Sequence, residues 1–424
     1  MNNKKHHISH SLLSILLLLL LIGGSNRLRA QNSTSNPFSM FGLGELRTQS
    51  NVVSSGMGNA GIGVSSGDYL NTLNPASYNG IDSLHFLMNI AVDAKFSNFS
   101  SEGKSQRLND TNFSYLALGW RINDRLAMGF GINPYSSTGY EVNYTDNVGG
   151  TSDNYSLTIS GSGDISRVYT GVSYRLLPNL SIGGKVSYLF GKMIQTQFHD
   201  LSTVYGTAIY NQMTDYFRNF YFEFGAQYTL SLKNNKTLTL GIIYNPRQIL
   251  VTQHKYLIYD ASGNTMASDN TNKSEFQVPE EYGAGFSLDN HRNLIVALDA
   301  GIQFWSNEKY DLTTVRLKDS PYLRGGLQYT PSTHFLDPYF KRVQYRVGGQ
   351  YGKSYLKLRD KQLSQYSGSF GVGLPLRRGA SRLDISFEYG QLGTLSNRLI
   401  RQRYLGVRFG LALQDLWFVQ RKYD

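Results

Sequence analysis

Residues 292–305 read Arg-Asn-Leu-Ile-Val-Ala-Leu-Asp-Ala-Gly-Ile-Gln-Phe-Trp, and their apolar side chains recur at every second position. Leu294, Leu298 and Ile302 fall on one face, whereas Asp299 and Gly301 fall on the other. Successive side chains of a strand point to opposite sides of a sheet. A period of two therefore predicts a β-strand with one apolar face and one face of polar residues and glycine.

About 14 segments of this kind follow one another between Leu84 and Leu413. They are longer than the ~5–6 residues of an average strand, and Tyr, Phe and Trp cluster near their ends. A soluble sandwich also alternates, but its strands are shorter. The pattern predicts an all-β protein, a transmembrane antiparallel β-barrel whose apolar side chains face lipid and whose small or charged side chains face the lumen.

The connectors between these segments alternate in length. Bacterial barrels have short periplasmic turns and long extracellular loops, so the alternation predicts the topology of the chain. Residues 259–272 should be extracellular and residues 289–291 periplasmic. The predicted longer connectors are 97–110, 143–154, 195–216, 259–272, 306–317 and 393–399.

The first 30 residues have the pattern of a signal peptide. Lys4 and Lys5 precede an apolar run from Leu12 to Ile22, which is too short to span a bilayer as a helix, and cleavage is expected after Ala30. Removal of this segment lowers the net charge of the 424-residue chain from +11 to +7. The remaining basic residues are scattered and form no stripe suited to nucleic acid.

Residues 31–83 carry little strand pattern and are rich in Ser, Asn and Gly. This segment is either a tail or a plug of the lumen, and we predict a plug, because a barrel of about 14 strands is wide enough to need filling or to conduct water. Residues 414–424 are predicted to form a C-terminal extension. Inward charged side chains of the strands would give the plug polar partners. These predicted lumen charges are Lys185, Glu223, Asp299, Arg346, Asp384, Glu388 and Arg408.

Residues with catalytic or metal-binding chemistry are sparse. The chain has no cysteine, and its histidines are dispersed without metal-ligand spacing. Residues 56–61 match the G-x-G-x-x-G pattern, but no strand precedes them as a dinucleotide site requires. We therefore expect neither an enzyme nor a bound metal or cofactor.

The stretch from Ser55 to Ala76, "SGMGNAGIGVSSGDYLNTLNPA", resembles the N-terminal hatch of the FadL-like long-chain fatty acid transporters of the bacterial outer membrane. Residues 278–283 are similar to the segment that opens a mid-barrel strand in that family. The resemblance implies that a kink in the third strand, at Asn133 and Pro134, makes a lateral opening in the wall. The hatch positions that it implies are Gly61, Asp68, Asn74, Pro75 and Ala76.

Two functions are compatible with this resemblance. The first is passive uptake of a hydrophobic, fatty-acid-like molecule with lateral release into the membrane. The alternative is a non-transporting barrel that binds proteins in a secretion or outer-membrane assembly complex. The expected surroundings are outer-membrane lipid and lipopolysaccharide, and the expected partners are a hydrophobic small molecule or envelope proteins. A transporter requires a continuous apolar path, whereas a scaffold tolerates a sealed lumen.

Overall fold

A computed structural model describes residues 34–147, 153–202, 206–308, 316–334, 336–376 and 381–416, with the side chains of 272–275 left out. The predicted signal peptide and the end of the predicted C-terminal extension, from residue 417, lie outside the described residues. Among the described residues, no helix has the length and apolar character needed to cross a membrane.

The predicted barrel is confirmed: a single antiparallel sheet closes on itself through pairing of its last strand with the first strand of the barrel. It has 14 barrel strands, because three of them are each divided into two parts, at Pro246-Arg247, at Pro279-Glu280 and at Lys318-Asp319. The strands are β1 (Glu45–Leu46, before the barrel), β2 (His85–Ser101), β3 (Lys104–Arg121), β4 (Leu126–Asn147), β5 (Asn154–Leu177), β6 (Leu180–Leu201), β7 (Thr207–Leu232), β8 (Lys236–Asn245), β9 (Gln248–Asp260), β10 (Thr265–Val278), β11 (Glu281–Asp289), β12 (Leu294–Gln303), β13 (Arg316–Leu317), β14 (Ser320–Tyr329), β15 (Gln344–Leu358), β16 (Lys361–Leu376), β17 (Ser381–Gly393) and β18 (Arg401–Leu416).

The two faces of the strands differ in burial as the alternation predicts. On β6, Val186, Tyr188 and Phe190 are exposed, whereas Lys185 and Ser187, on the other face of the strand, are buried. A soluble protein would bury the aromatic and aliphatic face. Its exposure all round the barrel is what a lipid-facing surface requires.

The expectation of long extracellular loops is wrong in detail, because most of those residues are paired strand. β2 and β3 are joined by a tight turn at Glu102-Gly103, and β9 and β10 by a turn at residues 261–264. The strands continue as hairpins beyond the band of exposed apolar side chains that faces lipid. The last strand also runs to Leu416, so the first three residues of the predicted C-terminal extension belong to the barrel.

Short elements occupy the chain before the barrel. They are the 3₁₀ helix η1 (Pro37–Met40), β1, the helix α1 (Val52–Gly56) and the 3₁₀ helix η2 (Pro75–Gly80). Each helix begins at an Asn whose side chain accepts a backbone N–H: Asn36, Asn51 and Asn74. The other helical turns are η3 (Trp305–Asn307), α2 (Tyr339–Arg342) and η4 (Ser396–Arg398).

Candidate functional site

The segment 34–82 bonds to the buried face of strands on every side of the barrel. Every residue from Ser50 to Val64 is buried. Because the partners belong to strands that are far apart around a closed sheet, these contacts support the predicted plug. The bonds join Val52 to β3, Ala76 to β5, Thr72 to β6, Ile62 to β7, Gly63 to β11, Gly61 to β12, Asn59 to β15, Gly58 to β16 and Ser50 to β18.

Inward glycines of the strands make room for this segment. A Cβ on Gly183 would lie 2.5 Å from backbone atoms of Pro75 and Ala76, and one on Gly225 would lie 2.1 Å from the side-chain oxygen of Asn74. Gly58 has a φ of +67°, and a Cβ there would lie 2.4 Å from backbone atoms of Gly349. The glycine face of the strands is therefore the docking surface of the N-terminal segment.

One buried charge network joins β5, β6 and β7. Glu223 accepts from Nη1 of Arg167 at 2.9 Å and lies 3.0 Å from Nζ of Lys185. Lys185 also donates to the carbonyl of Thr72 at 2.9 Å, and Arg167 donates to the Gln49 side chain at 2.6 Å. Two predicted lumen charges thus meet here. The sequence analysis missed Arg167, although it lies on the polar face of β5.

A second network lies near the opposite wall, on β15 and β17. Asp384 accepts from Nη1 of Arg346 at 2.7 Å and from Nε of Arg382 at 2.9 Å. Arg382, which the sequence analysis also missed, reaches Asp68 of the N-terminal segment at 3.2 Å. The half-exposed Asp68 is therefore the counterion of a strand residue, while Arg346 and Asp384 are fully enclosed.

The remaining predicted lumen charges contact other groups. Asp299 accepts backbone N–H groups of Gly61 at 2.6 Å and Ile62 at 2.9 Å. Arg408 donates to the carbonyl of Ser50 at 3.1 Å. Glu388 accepts from Tyr404 and Gln350 rather than from the N-terminal segment. The candidate lumen residues hence form several sites along the segment and not one centre.

The third barrel strand, β4, pairs with β3 over only part of its length. β3 pairs with β4 only from Leu116 to Arg121, and the ladder between β4 and β5 is shifted between Pro134 and Ser136. Asn133 is buried, and its amide joins Gln49 and Arg167. A seam therefore runs between β3 and β4 beyond Ile132.

The implied lateral opening is filled by the chain itself. β1 pairs antiparallel with β4, with Glu45 opposite Ser137 and Leu46 opposite Ser136. The bonds continue on both sides of β1, since Asn36 donates to the carbonyl of Gly139 at 2.8 Å and Arg47 to that of Tyr135 at 2.9 Å. The N-terminal segment thus supplies the strand pairing that β3 does not.

Ion pairs also join the region of β1 to the barrel strand β2. Glu45 pairs with Lys95, and Arg47 lies 3.7 Å from Asp93, both on β2. Burial by itself would raise the pKa of Glu45, but the positive charges of Lys95 and Arg47 outweigh it and lower this pKa to about 2. The carboxylate is therefore charged at every physiological pH.

A cluster of buried apolar side chains joins the N-terminal segment to the strands. Phe38 and Leu43 of the N-terminal segment pack with buried side chains from several strands, among them Leu189, Leu250 and Trp305. Trp305 stacks on Tyr355 with ring centroids 4.4 Å apart. The cavity that borders this packed region measures about 350 Å³. Its charged lining includes Glu45, Arg47, Asp93, Lys95, Glu223, Glu281, Arg324, Lys353, Glu388 and Arg408.

A second interruption of the wall lies between β7 and the β8–β9 strand. β7 pairs with β8 from Phe224 onward and with β9 up to Phe217, so residues 218–223 have no ladder partner on this side, although they pair with β6 on the other. The side chain of Gln248 replaces it, since its amide bonds to the backbone N–H and carbonyl of Phe222. Pro246 marks this break in the sequence, because proline cannot donate to a ladder.

The fold is that of FadL-like β-barrels. A FadL homologue of Pseudomonas aeruginosa has a TM-score of 0.63 and 14% identity, covering 88% of this chain and 99% of its own. The Pseudomonas putida toluene transporter TodX has a TM-score of 0.59 and 14% identity, covering 88% and 100%.

The monoaromatic hydrocarbon channel CymD has a TM-score of 0.58 and 16% identity, covering 86% of this chain and 97% of its own. No curated protein matches the chain in sequence. The family model for BamG matches residues 12–424, and the chain belongs to the BamG family.

Proposed function

We propose that this chain is a sealed FadL-like barrel that serves as a protein-binding subunit of an outer-membrane assembly or secretion complex. The observation that carries the proposal is the filled seam, in which β1 occupies the place where the wall would open. Membership of the BamG family is in keeping with a role in such a complex.

The interior also argues against a conduit for apolar molecules. The lining of the cavity of about 350 Å³ includes ten charged and six amide side chains besides apolar ones, and an apolar ligand placed there would strip water from the polar groups without replacing their hydrogen bonds. The apolar part of the interior is occupied by the protein's own side chains, with Leu43, Leu189 and Leu250 at 0% exposure.

Apolar side chains lie exposed outside the barrel strands, as a protein partner would require. Leu336 is 80% exposed and Phe340 is 76% exposed, more than any other large apolar side chain described. Both belong to the connector between β14 and β15, at the end of the barrel where turns are short. Phe340→Ser should lower partner recovery if this connector contributes to docking.

Uptake of a hydrophobic molecule is the second candidate. It is favoured by the hydrocarbon transporters with the same fold and by the interrupted ladder beside Pro134. In this chain such a route would need β1 to leave β4. The two candidates therefore differ in whether β1 must move.

A disulfide between β1 and β4 tests this difference. Leu46 and Ser136 are direct partners, and directly opposed residues in an antiparallel pair have Cα atoms about 4.5–5.5 Å apart, within reach of a disulfide. The chain has no other cysteine. In Leu46→Cys/Ser136→Cys we expect recovery of co-purifying envelope proteins to be unchanged on oxidation, with no uptake of a hydrophobic probe in either redox state.

The control is Ser231→Cys/Thr237→Cys, a pair of direct partners on β7 and β8 that does not involve β1. Probe uptake that stops on oxidation of the β1–β4 pair alone and returns on reduction would establish the transport function instead. Absence of any co-purifying protein from native membranes would also contradict the scaffold function.

A further inference from the structure

Three basic residues lie on the outer face of adjacent strands, directly beyond the apolar band. Lys192 on β6, Arg218 on β7 and Lys255 on β9 are all exposed. In the part of the chain that the structure describes, no acid forms an ion pair with any of them. Each cation is thus free to bind an external anion.

The strand register gathers the three cations around one aromatic residue. Lys192 is the direct partner of Tyr216, and Lys255 is the direct partner of Thr214, two residues along the same face from Tyr216. Arg218 lies two residues from Tyr216 in the other direction. Diagonal neighbours on one face are about 7–8 Å apart, within reach of long side chains.

A hollow lies at this position. Its volume is about 190 Å³, and Tyr216 and Thr214 line it between the two lysines. One carboxylate, Asp164, lies opposite Lys192 on β5, so two positive charges of the cluster remain unbalanced. The lining residues are Lys192, Ile194, Gln212, Thr214, Tyr216, Lys255 and Leu257.

The surface on the other side of the cations is apolar. Tyr188 and Phe190 precede Lys192 on the same face of β6, and Phe220 follows Arg218 on β7. The rings of Tyr188 and Phe220 lie 5.4 Å apart, and Phe220 is 56% exposed. A ligand that fills both surfaces must carry an anionic head and hydrocarbon chains.

We propose that Lys192, Arg218 and Lys255 bind the phosphate of a phosphorylated glycolipid of the outer leaflet, whose acyl chains lie on the aromatic band below. Beyond the cations the strands continue as hairpins to Leu201 and Thr207, whereas the opposite ends carry short turns. Long hairpins mark the extracellular side of bacterial barrels, where the outer leaflet is. This site is independent of the protein-binding function.

Native mass spectrometry of the full mature protein in detergent tests the site. The probes are bisphosphorylated lipid A and the same lipid A after removal of its phosphates. Substitution of one cation by Gln should weaken binding of the phosphorylated form by about fivefold, and the triple variant Lys192→Gln/Arg218→Gln/Lys255→Gln by on the order of a hundredfold, because a basic residue near an anionic membrane surface contributes about 1 kcal/mol.

The matched control is Arg125→Gln/Lys233→Gln/Lys236→Gln, which removes the same charge from exposed positions at the short-turn end. It should bind lipid A like the native protein, and both triple variants should keep the heat-modifiable mobility of a folded barrel. Equal binding of the dephosphorylated lipid, equal loss in both triple variants, or displacement of lipid A by millimolar inorganic phosphate would overturn the proposal.

Discussion

At the residue scale, the inward charges are held by partners that lie far away in the sequence. Asp299 binds two backbone N–H groups of the N-terminal segment, and Lys185 binds both Glu223 and a carbonyl of that segment. Alternation along a strand was enough to predict that these side chains point inward. Their partners could not be predicted, because pairing across the lumen depends on the position of each strand around the barrel.

The Glu45 carboxylate makes this anchoring dependent on pH. Its pKa lies at about 2, against an ordinary 4.5. A lowered folded-state pKa stabilises the protein above the ordinary value, and this contribution is lost as pH falls from about 4.5 toward 2. We expect the urea midpoint of the native protein to fall more between about pH 6 and pH 3 than that of Glu45→Gln.

Asp124→Asn is the control for this comparison, because Asp124 has a side chain that is 94% exposed and surface pairs contribute little to stability. Its midpoint should follow that of the native protein at both values of pH. An equal pH-dependent fall in Glu45→Gln would mean that the link between β1 and β2 does not stabilise the fold.

At the element scale, the N-terminal segment supplies a strand partner that the barrel wall lacks. β4 lacks β3 beyond Ile132 and pairs with β1 instead. Any substitution of Asn133 would break its bonds to Gln49 and Arg167, so Pro134 is the residue to change when the seam itself is tested. The seam is a shared structure of two distant parts of the chain.

Deletion of residues 31–76 should therefore convert the protein into an open pore. The barrel strands from β2 onward keep their own ladder, whereas the lumen loses the segment that bonds to its inward charges. We expect the variant to insert and to conduct ions in planar bilayers, while the intact protein does not. A deletion variant with the heat-modifiable mobility of a barrel and with unchanged conductance would show that the segment plugs nothing.

At the scale of the whole molecule, the topology follows from the lengths of the strand ends. The turn after β9 should be extracellular and the turn after β11 periplasmic, since hairpins overhang at one end and short turns close the other. Gly263→Cys should react with a membrane-impermeant maleimide in intact cells, whereas Asn290→Cys should be protected. The native chain supplies no background, because it has no cysteine.

Permeabilised cells provide the control for this experiment, since both cysteines should then react. Labelling of Asn290→Cys alone in intact cells would show that the barrel has the opposite orientation in the membrane. It would also place the Lys192, Arg218 and Lys255 cluster on the periplasmic side, away from the outer leaflet.

The alternation of residue types along the chain was sufficient to predict the barrel. A period of two repeated over about 14 segments is a local property of each strand, and the requirement that every backbone group be paired within lipid leaves only a closed sheet. The inward position of Lys185, Glu223, Asp299, Arg346 and Asp384 follows from the same alternation. An edge or a bulge at Pro134 was predictable from the residue type, because proline cannot donate to a ladder.

Local sequence patterns could not predict which segment closes the seam or how the N-terminal segment packs against the strands. The pairing of Leu46 with Ser136 joins residues that are 90 positions apart, and no local pattern in either segment specifies the other. The packing of Phe38 and Leu43 among strand side chains is likewise non-local. Contacts of this kind depend on strand register and barrel closure, which set the distance between residues only after the whole sheet has formed.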